Sequence, residues 1–224
     1  MYLRFMDFKA LFDFLEDLTQ NNHKDWMDRH RGTYRALRDD FIAWLDRLDA
    51  TLAGIDPEYY PTPGRVGINR INNNLMFHPD RPVYKDHFGA GLDKAPGTAD
   101  FYIEVGLSQS MLAGGLWRPG PERLRRVREA IDYDGEVLQA ILDDRAFRET
   151  FTGLYPDEAL SRMPKGYEEG HPHAALLKNK TFAVVRPLTR EEILSPGFEN
   201  LILKTYSQML PFRRYLNRAL SVPG

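Results

Sequence analysis

The sequence feature that most constrains the fold is an alternation of side chains between residues 101 and 107. Apolar residues alternate there with polar or small ones, which is typical of a strand with one buried face. The apolar positions are Phe101, Ile103, Val105 and Leu107. Residues 108–110 (Ser-Gln-Ser) can turn the chain, and residues 111–117 supply a partner strand. Because strands joined by a tight turn must be antiparallel, we expect an antiparallel hairpin.

Helical periodicity surrounds this hairpin on both sides. One helix is predicted after Asp7, and a long amphipathic helix from about His23 to Ala53, bent near Gly32. A helix starts at Pro121, another is capped by Asp134, Thr189 opens a capping box, and a last helix from Phe198 is kinked or divided by Pro211.

The remaining segments give a few more strands and one long loop. Residues 66–72 and 181–185 are predicted strands, and residues 75–97 an ordered loop. We therefore predict an α+β fold over residues 1–224 as a single domain. It has an antiparallel sheet of about four to six strands, helices packed against that sheet, and long helices at both ends.

Composition narrows the class of protein. Hydrophobic residues are 42% of 224 residues, enough to build a core. The formal net charge of −2 disfavours nucleic acid as a partner. The absence of cysteine excludes disulfides, thiolate metal ligands and cysteine nucleophiles. The first residues do not resemble a signal peptide and no run is long enough to span a membrane, so we expect a soluble, cytoplasmic protein with no membrane contact.

Well-known catalytic signatures are missing. The sequence contains no G-x-S-x-G, Walker A, dinucleotide-binding G-x-G-x-x-G or H-E-x-x-H motif. Any cofactor stays unknown from the sequence, which also does not decide whether the protein is an enzyme.

Cationic residues next to aromatic ones instead suggest a ligand pocket. If their segments converge, they would bind an anion such as a carboxylate or phosphate. The predicted ligand-binding residues are Arg70, Asn73, Asn74, Lys85, Trp117, Arg118, Lys165 and Lys180. The predicted catalytic residues, which would wall the pocket or move protons, are His171, Glu104, His87 and Tyr84. The alternative is a set of surface cations balanced by nearby acids.

Several motifs, in order along the chain, resemble a family of microbial proteins catalogued as a domain of unknown function. They are Asn21-Asn22-x-x-x-Trp26, Arg70-Ile71, Phe77-x-x-Asp80-Arg81-x-x-Tyr84-Lys85, Gly114-Gly115-Leu116-Trp117, Pro164-Lys165-Gly166-Tyr167 and His171-Pro172. The resemblance covers residues 8–216 and implies a fold and a site location, but no reaction.

This chain departs from the family pattern in its densest motif. The family usually has an arginine-aspartate pair at Asn73 and Asn74, an arginine at Met76, and Thr-Pro at Pro82 and Val83. Losing three charges together avoids leaving one of them buried and unpaired, so we interpret this chain as a diverged member with a more neutral, remodelled pocket. The alternative is drift at a solvent-exposed loop.

Three functions remain open from the sequence. The first is an enzyme or binding protein for a small, polar, anionic metabolite. The second is a non-enzymatic interaction module that uses the aromatic residues Trp26, Tyr34, Phe41 and Trp44, which core packing would also explain. The third is a metal-dependent oxygenase or hydrolase built on His171, His173 and carboxylates. Homo-oligomers are compatible with each of them.

Overall fold

The computed structural model describes residues 6–157 and 159–221. The helices of this part are α1 (Phe8–Gln20), α2 (Lys24–Arg29), α3 (Arg31–Ala53), α4 (Gly64–Gly67), α5 (Pro121–Asp143), α6 (Arg145–Phe151), α7 (Ala174–Leu177), α8 (Arg190–Leu194) and α9 (Phe198–Ser221). The strands are β1 (His87–Leu92), β2 (Asp100–Gly106), β3 (Met111–Leu116) and β4 (Phe182–Pro187). They form one antiparallel sheet in the order β1-β2-β3-β4, so the fold is α+β as predicted.

Contacts within the chain divide it into two compact units, each assembled from separate stretches. Unit 1 holds the residues up to Lys94, Tyr102–Leu112 and Pro187–Leu203. Unit 2 holds Ala95–Phe101, Ala113–Arg186 and the residues from Lys204 onward. The single-domain organisation stays a prediction, and we describe each unit by itself.

The core of unit 1 is rich in aromatic rings. Trp44 on α3 stacks on Phe198 at 6.1 Å between ring centroids, and its indole nitrogen donates to Glu199 at 2.9 Å. Phe41 packs edge-on against Phe88 of β1 at 5.5 Å. Trp26 is only 7% exposed. The aromatic residues considered above for partner docking are thus largely core residues, because burying large rings stabilises the unit more than exposing them.

Unit 2 includes the second half of α9, and aromatic residues of the unit pack on that part of the helix. Phe101 lies edge-on to Tyr206 at 5.2 Å, and Phe147 contacts Phe212. Gly115 has a φ of +117°, and an added Cβ would approach Ala183 Cα at 2.9 Å. The glycine pair at 114–115 therefore serves close packing between strand and neighbours inside this unit.

Several predicted elements are confirmed. The hairpin of β2 and β3, the last strand β4 and the capping box of Thr189 and Glu192 all form. Asp134 has non-helical dihedrals inside α5, where the second helix was expected to begin.

Other expectations were wrong in detail. The long helix is broken at His30, between α2 and α3. Residues 66–72 form the end of α4 and isolated bridges from Ile68 to Ala90 and from Asn72 to Tyr84, because Pro63 sets up a helical turn first.

One further error has a clear cause. The predicted loop at 75–97 contains β1, whose glycines at 89 and 91 weaken the strand pattern. Helix α9 continues through Pro211, so of the two expected effects the division does not occur, and the flanking residues Met209, Leu210 and Phe212 are buried there. A kink at Pro211 stays a prediction.

Candidate functional site

The predicted site residues are distributed over both units. Those in unit 1 are Arg70, Asn73, Asn74, Tyr84, Lys85, His87 and Glu104. Those in unit 2 are Trp117, Arg118, Lys165, His171 and Lys180. We describe each group separately, beginning with unit 1.

Glu104 is a buried carboxylate on β2. It is 4% exposed and points to the face of the strand opposite Ile103 and Val105. Its Oε2 accepts a hydrogen bond from the Tyr102 hydroxyl at 2.7 Å, and its Oε1 accepts one from Gln109 Nε2 at 2.9 Å. A buried carboxylate needs such partners, so the strand and the turn after it hold this group in a fixed orientation.

His87 connects Glu104 to a second carboxylate. Its Nε2 lies 3.4 Å from Glu104 Oε2, and its Nδ1 lies 3.2 Å from Asp86 Oδ1. The side chain of His87 is 21% exposed, whereas that of Glu104 is 5% exposed. An imidazole that is open to solvent and oriented by carboxylates is suited to general acid-base chemistry.

Asp86 is itself held by the turn after β2. The backbone N–H of Ser108 donates to Asp86 Oδ2 at 3.1 Å, and the Ser108 hydroxyl donates to the same oxygen. Burial alone would raise the pKa of Asp86, but the hydrogen bonds from Ser108 and His87 outweigh it and lower that pKa below 3.8.

Lys85 brings a cation to the same cluster. Its ammonium donates to the Arg70 carbonyl oxygen at 2.8 Å. Burial lowers the pKa of Lys85 below its ordinary value of 10.5. The charge of Glu104 opposes this decrease in pKa, while Arg70 and Arg81 add to it. Glu104, Arg70 and Arg81 are thus each close enough to act on the charge of Lys85.

Tyr84 lies beside this cluster but is only 5% exposed. Its backbone is paired with the Asn22 side chain, whose Nδ2 donates to Tyr84 O at 2.9 Å and whose Oδ1 accepts from Tyr84 N at 2.8 Å. This contact positions the backbone next to Lys85. A catalytic role for the Tyr84 hydroxyl stays a prediction.

The three neutral positions that suggested remodelling lie in the loop before Tyr84. Met76 is 85% exposed, Asn74 is exposed, and the Asn73 amide donates to Pro82 O at 2.8 Å within the loop. These observations favour the alternative of a solvent-exposed loop at Asn74 and Met76. Ligand binding by Asn73 and Asn74 stays a prediction.

In unit 2, the predicted Trp117 and Arg118 lie at the end of β3. Trp117 is 56% exposed and contacts Tyr155 edge-on at 4.9 Å. Arg118 forms a two-pronged ion pair with Asp157, with nitrogen–oxygen distances of 2.8 and 3.0 Å. A guanidinium engaged in this way would have to exchange Asp157 for a ligand, and anion binding by Arg118 stays a prediction.

Unit 2 contains a second group of histidines, His171 and His173, which lies against α5. His171 Nε2 lies 3.1 Å from Asp132 Oδ1, and its Nδ1 accepts a hydrogen bond from His173 N at 3.0 Å. Lys165 is exposed and Lys180 is half-buried. Among the described residues, no three or more histidines and carboxylates converge in a way that could hold a metal ion.

The sequence analysis missed Tyr102, Gln109, Asp86 and Ser108. The sequence pattern could have identified Tyr102, because Tyr102 and Glu104 alternate with apolar residues and so share one face of β2. Gly89 was also missed. An added Cβ there would lie 3.0 Å from Tyr102 Cζ, so the tyrosine ring crosses β1 at this glycine.

A small cavity borders the turn that holds the cluster. Its volume is about 170 Å³, and Ser108, Gln109, Phe12 and Arg190 are among its lining residues. Ser108 and Gln109 are the residues that bind Asp86 and Glu104, so the cavity and the cluster share the same turn.

Fold and site together define an α+β protein with a buried, hydrogen-bonded carboxylate next to a partly exposed imidazole and a half-buried lysine. Residues 10–215 match the family described as conserved hypothetical protein (DUF2461). The chain belongs to this family, as its ordered motifs suggested. No curated protein and no solved structure matches the chain.

Proposed function

We propose that unit 1 binds a small, polar, anionic metabolite at Lys85 and Arg70. His87 and Glu104 transfer a proton to or from this metabolite. The observation that carries this proposal is the position of His87 between two carboxylates, with its side chain partly exposed to solvent. A catalytic imidazole requires a group that orients it, and Glu104 and Asp86 both serve that purpose.

The charges around Lys85 support an anionic ligand. Arg70 and Arg81 both disfavour the Lys85 ammonium, and burial disfavours it further. A carboxylate or phosphate bound here would offset the repulsion among these cations, so the site gains interaction energy when an anion binds. Arg70 is exposed and its guanidinium is therefore accessible to a ligand.

The rigidity of the cluster supports an enzyme over a simple binding protein. Glu104 accepts hydrogen bonds from Tyr102 and Gln109, and Asp86 accepts them from Ser108. Preorganised groups of this kind hold a proton-transfer geometry without reorganisation during the reaction. The proposal includes a cytoplasmic location, which stays a prediction from the sequence.

The first test is a thermal-shift screen with phosphates, nucleotides and organic acids. A ligand present at ~100 times its Kd stabilises the native state by ~2.7 kcal/mol. We expect an anionic hit for the native protein that is lost in Lys85→Ala and kept in Lys94→Ala, a change of an exposed lysine in the same unit. Equal stabilisation of Lys85→Ala, or no anionic hit, would contradict the site.

A second test separates binding from proton transfer. With the hit as substrate, we expect His87→Asn and Glu104→Gln to retain the thermal shift. Exchange of substrate hydrogen with deuterated solvent, followed by NMR, should be slowed by about 100-fold or more. Unchanged exchange in both variants would refute the catalytic role while leaving the binding site in place.

A further inference from the structure

The loop between Asn72 and Tyr84 is an ordered projection of unit 1. An antiparallel bridge joins Asn72 to Tyr84 at its base, and Asn73 N donates to Val83 O at 3.0 Å. At its far end, Phe77 N and His78 N both donate to Asn74 O, at 3.3 and 3.1 Å. Backbone hydrogen bonds therefore fix both the base and the tip of the loop.

The tip exposes three consecutive apolar side chains. Leu75 is 36% exposed, Met76 is 85% exposed and Phe77 is 72% exposed. Single exposed apolar residues are ordinary on protein surfaces, but a hydrogen-bonded turn that presents three in a row marks a contact surface. We call Leu75, Met76 and Phe77 the apolar tip.

Cations surround the apolar tip along the chain. Between residues 65 and 85 the sequence has four cations and a single acidic residue, although the whole chain has a net charge of −2. The cations are Arg65, Arg70, Arg81 and Lys85, and the acid is Asp80. Lys85 Nζ donates to the Arg70 carbonyl oxygen at 2.8 Å, which places Lys85 beside the Arg70 backbone at the base of the loop. Arg70 and Arg81 both act electrostatically on Lys85.

We propose that the apolar tip and the cations at its base bind the surface of a membrane that contains anionic phospholipids. Apolar side chains at a tip can enter the acyl boundary of a fluid bilayer, which needs no preformed groove in a partner. Arginine and lysine then lie at the level of the negatively charged headgroups. The charge complementarity between the loop and this surface favours lipid over a second copy of a chain that is acidic overall.

This proposal differs from the expectation of no membrane contact, which concerned segments that span a bilayer. Among the described residues, no helix is both long and apolar enough for that. Binding to a membrane surface through a loop does not require a helix of that kind. Arg70 and Lys85 belong both to this surface and to the proposed metabolite site, whereas Met76 and Phe77 lie outside the Lys85–His87–Glu104 cluster, so the variants that test the membrane contact are made at Met76 and Phe77.

The first experiment is co-sedimentation of the full chain with vesicles. Vesicles with about 30 mol% phosphatidylserine should bind it, and pure phosphatidylcholine vesicles should bind it far less. The double variant Met76→Ser, Phe77→Ser should reduce the bound-to-free ratio by about tenfold. Tyr133→Ser, which changes a side chain that is 89% exposed in unit 2, is the control and should bind normally.

A second experiment locates the contact. Because the chain has no cysteine, Met76→Cys can be labelled selectively with an environment-sensitive dye. Its emission should shift to the blue with anionic vesicles, whereas the same dye at Tyr133→Cys should not respond. No binding to anionic vesicles, or normal binding by the double variant, would overturn the proposal.

Sedimentation velocity tests the competing occupants. A dimer that the double variant abolishes would show that the apolar tip docks on a second copy, which would also overturn the lipid proposal. Thermal unfolding of every variant should match that of the native protein, since the changed side chains are exposed.

Discussion

Asn22 pairs with the backbone of Tyr84 in both directions, 62 residues away along the chain. Its amide thereby joins two of the family motifs and fixes the chain just before Lys85. The position uses a donor and an acceptor on two separate atoms of one short side chain, which the asparagine amide supplies.

We therefore expect Asn22→Ala to lower the free energy of unfolding by about 2–3 kcal/mol, because two partly buried backbone groups lose their partners. Urea unfolding measures this directly. Asn21→Ala is the matched control, since that side chain donates an exposed hydrogen bond to Asp17 O on α1 at 2.9 Å. An equal effect of the two changes on the free energy of unfolding would show that the pairing of Asn22 with the Tyr84 backbone contributes no more than an exposed hydrogen bond.

The Tyr102 ring leaves no room for a side chain at Gly89. In Gly89→Ala the new methyl group would contact the Tyr102 hydroxyl and Cζ, so the ring must move from its hydrogen bond with Glu104. We expect a loss of about 1–3 kcal/mol in unfolding free energy. Gly32→Ala, which meets nothing within 4 Å on the exposed side of α3, should instead stabilise by roughly 0.5 kcal/mol. Thermal unfolding that gives both changes the same sign would contradict this account.

Asp86 gives a prediction about pH. Its folded-state pKa lies below its ordinary value of 3.8, so the stability that it contributes is present above about pH 4. That stability is lost as the pH falls through the folded-state pKa. Ser108→Ala removes one of the hydrogen bonds that lower this pKa, and should cost roughly 1 kcal/mol at pH 6 and progressively less as the pH is lowered below 3.8. Urea unfolding of both proteins at each pH is the measurement, and a difference that does not depend on pH would refute the assignment.

Lys85 gives a prediction about ionisation. The pKa of its ammonium should lie below 10.5, because burial penalises the charge. Reductive methylation with ¹³C-formaldehyde, followed by NMR titration, measures it, and Lys85→Arg assigns the signal. In Glu104→Gln the pKa should fall further, since Glu104 favours the charged form. An increase in that variant would mean that Glu104 does not act on Lys85.

The elements predicted correctly are those whose determinants are local. The alternation from Phe101 to Val105 specifies β2, and Thr189 and Glu192 specify a helix start within four residues. The strand β1 could not be recognised in this way, because Gly89 is explained only by the Tyr102 ring that crosses it. Long-range contacts of this kind leave no pattern in a single sequence.

In the candidate site too, local sequence identified some residues, whereas long-range contacts determined their surroundings. Lys85, His87 and Glu104 were identified by residue type, and the structure brings them together. Arg118 was chosen for the same reason, but its ion pair with Asp157 depends on residues 39 positions apart. Residue type therefore identifies candidate site residues, whereas the fold determines which partners they contact.

The interleaving of the two units limits how the protein can be dissected. The chain passes from one unit to the other after Lys94 and Phe101, again after Leu112 and Arg186, and finally after Leu203. Any contiguous fragment that contains one unit whole therefore also carries part of the other. Gene truncation and limited proteolysis cannot isolate the Lys85–His87–Glu104 cluster in its native setting, so its chemistry must be studied by point substitution in the full-length polypeptide.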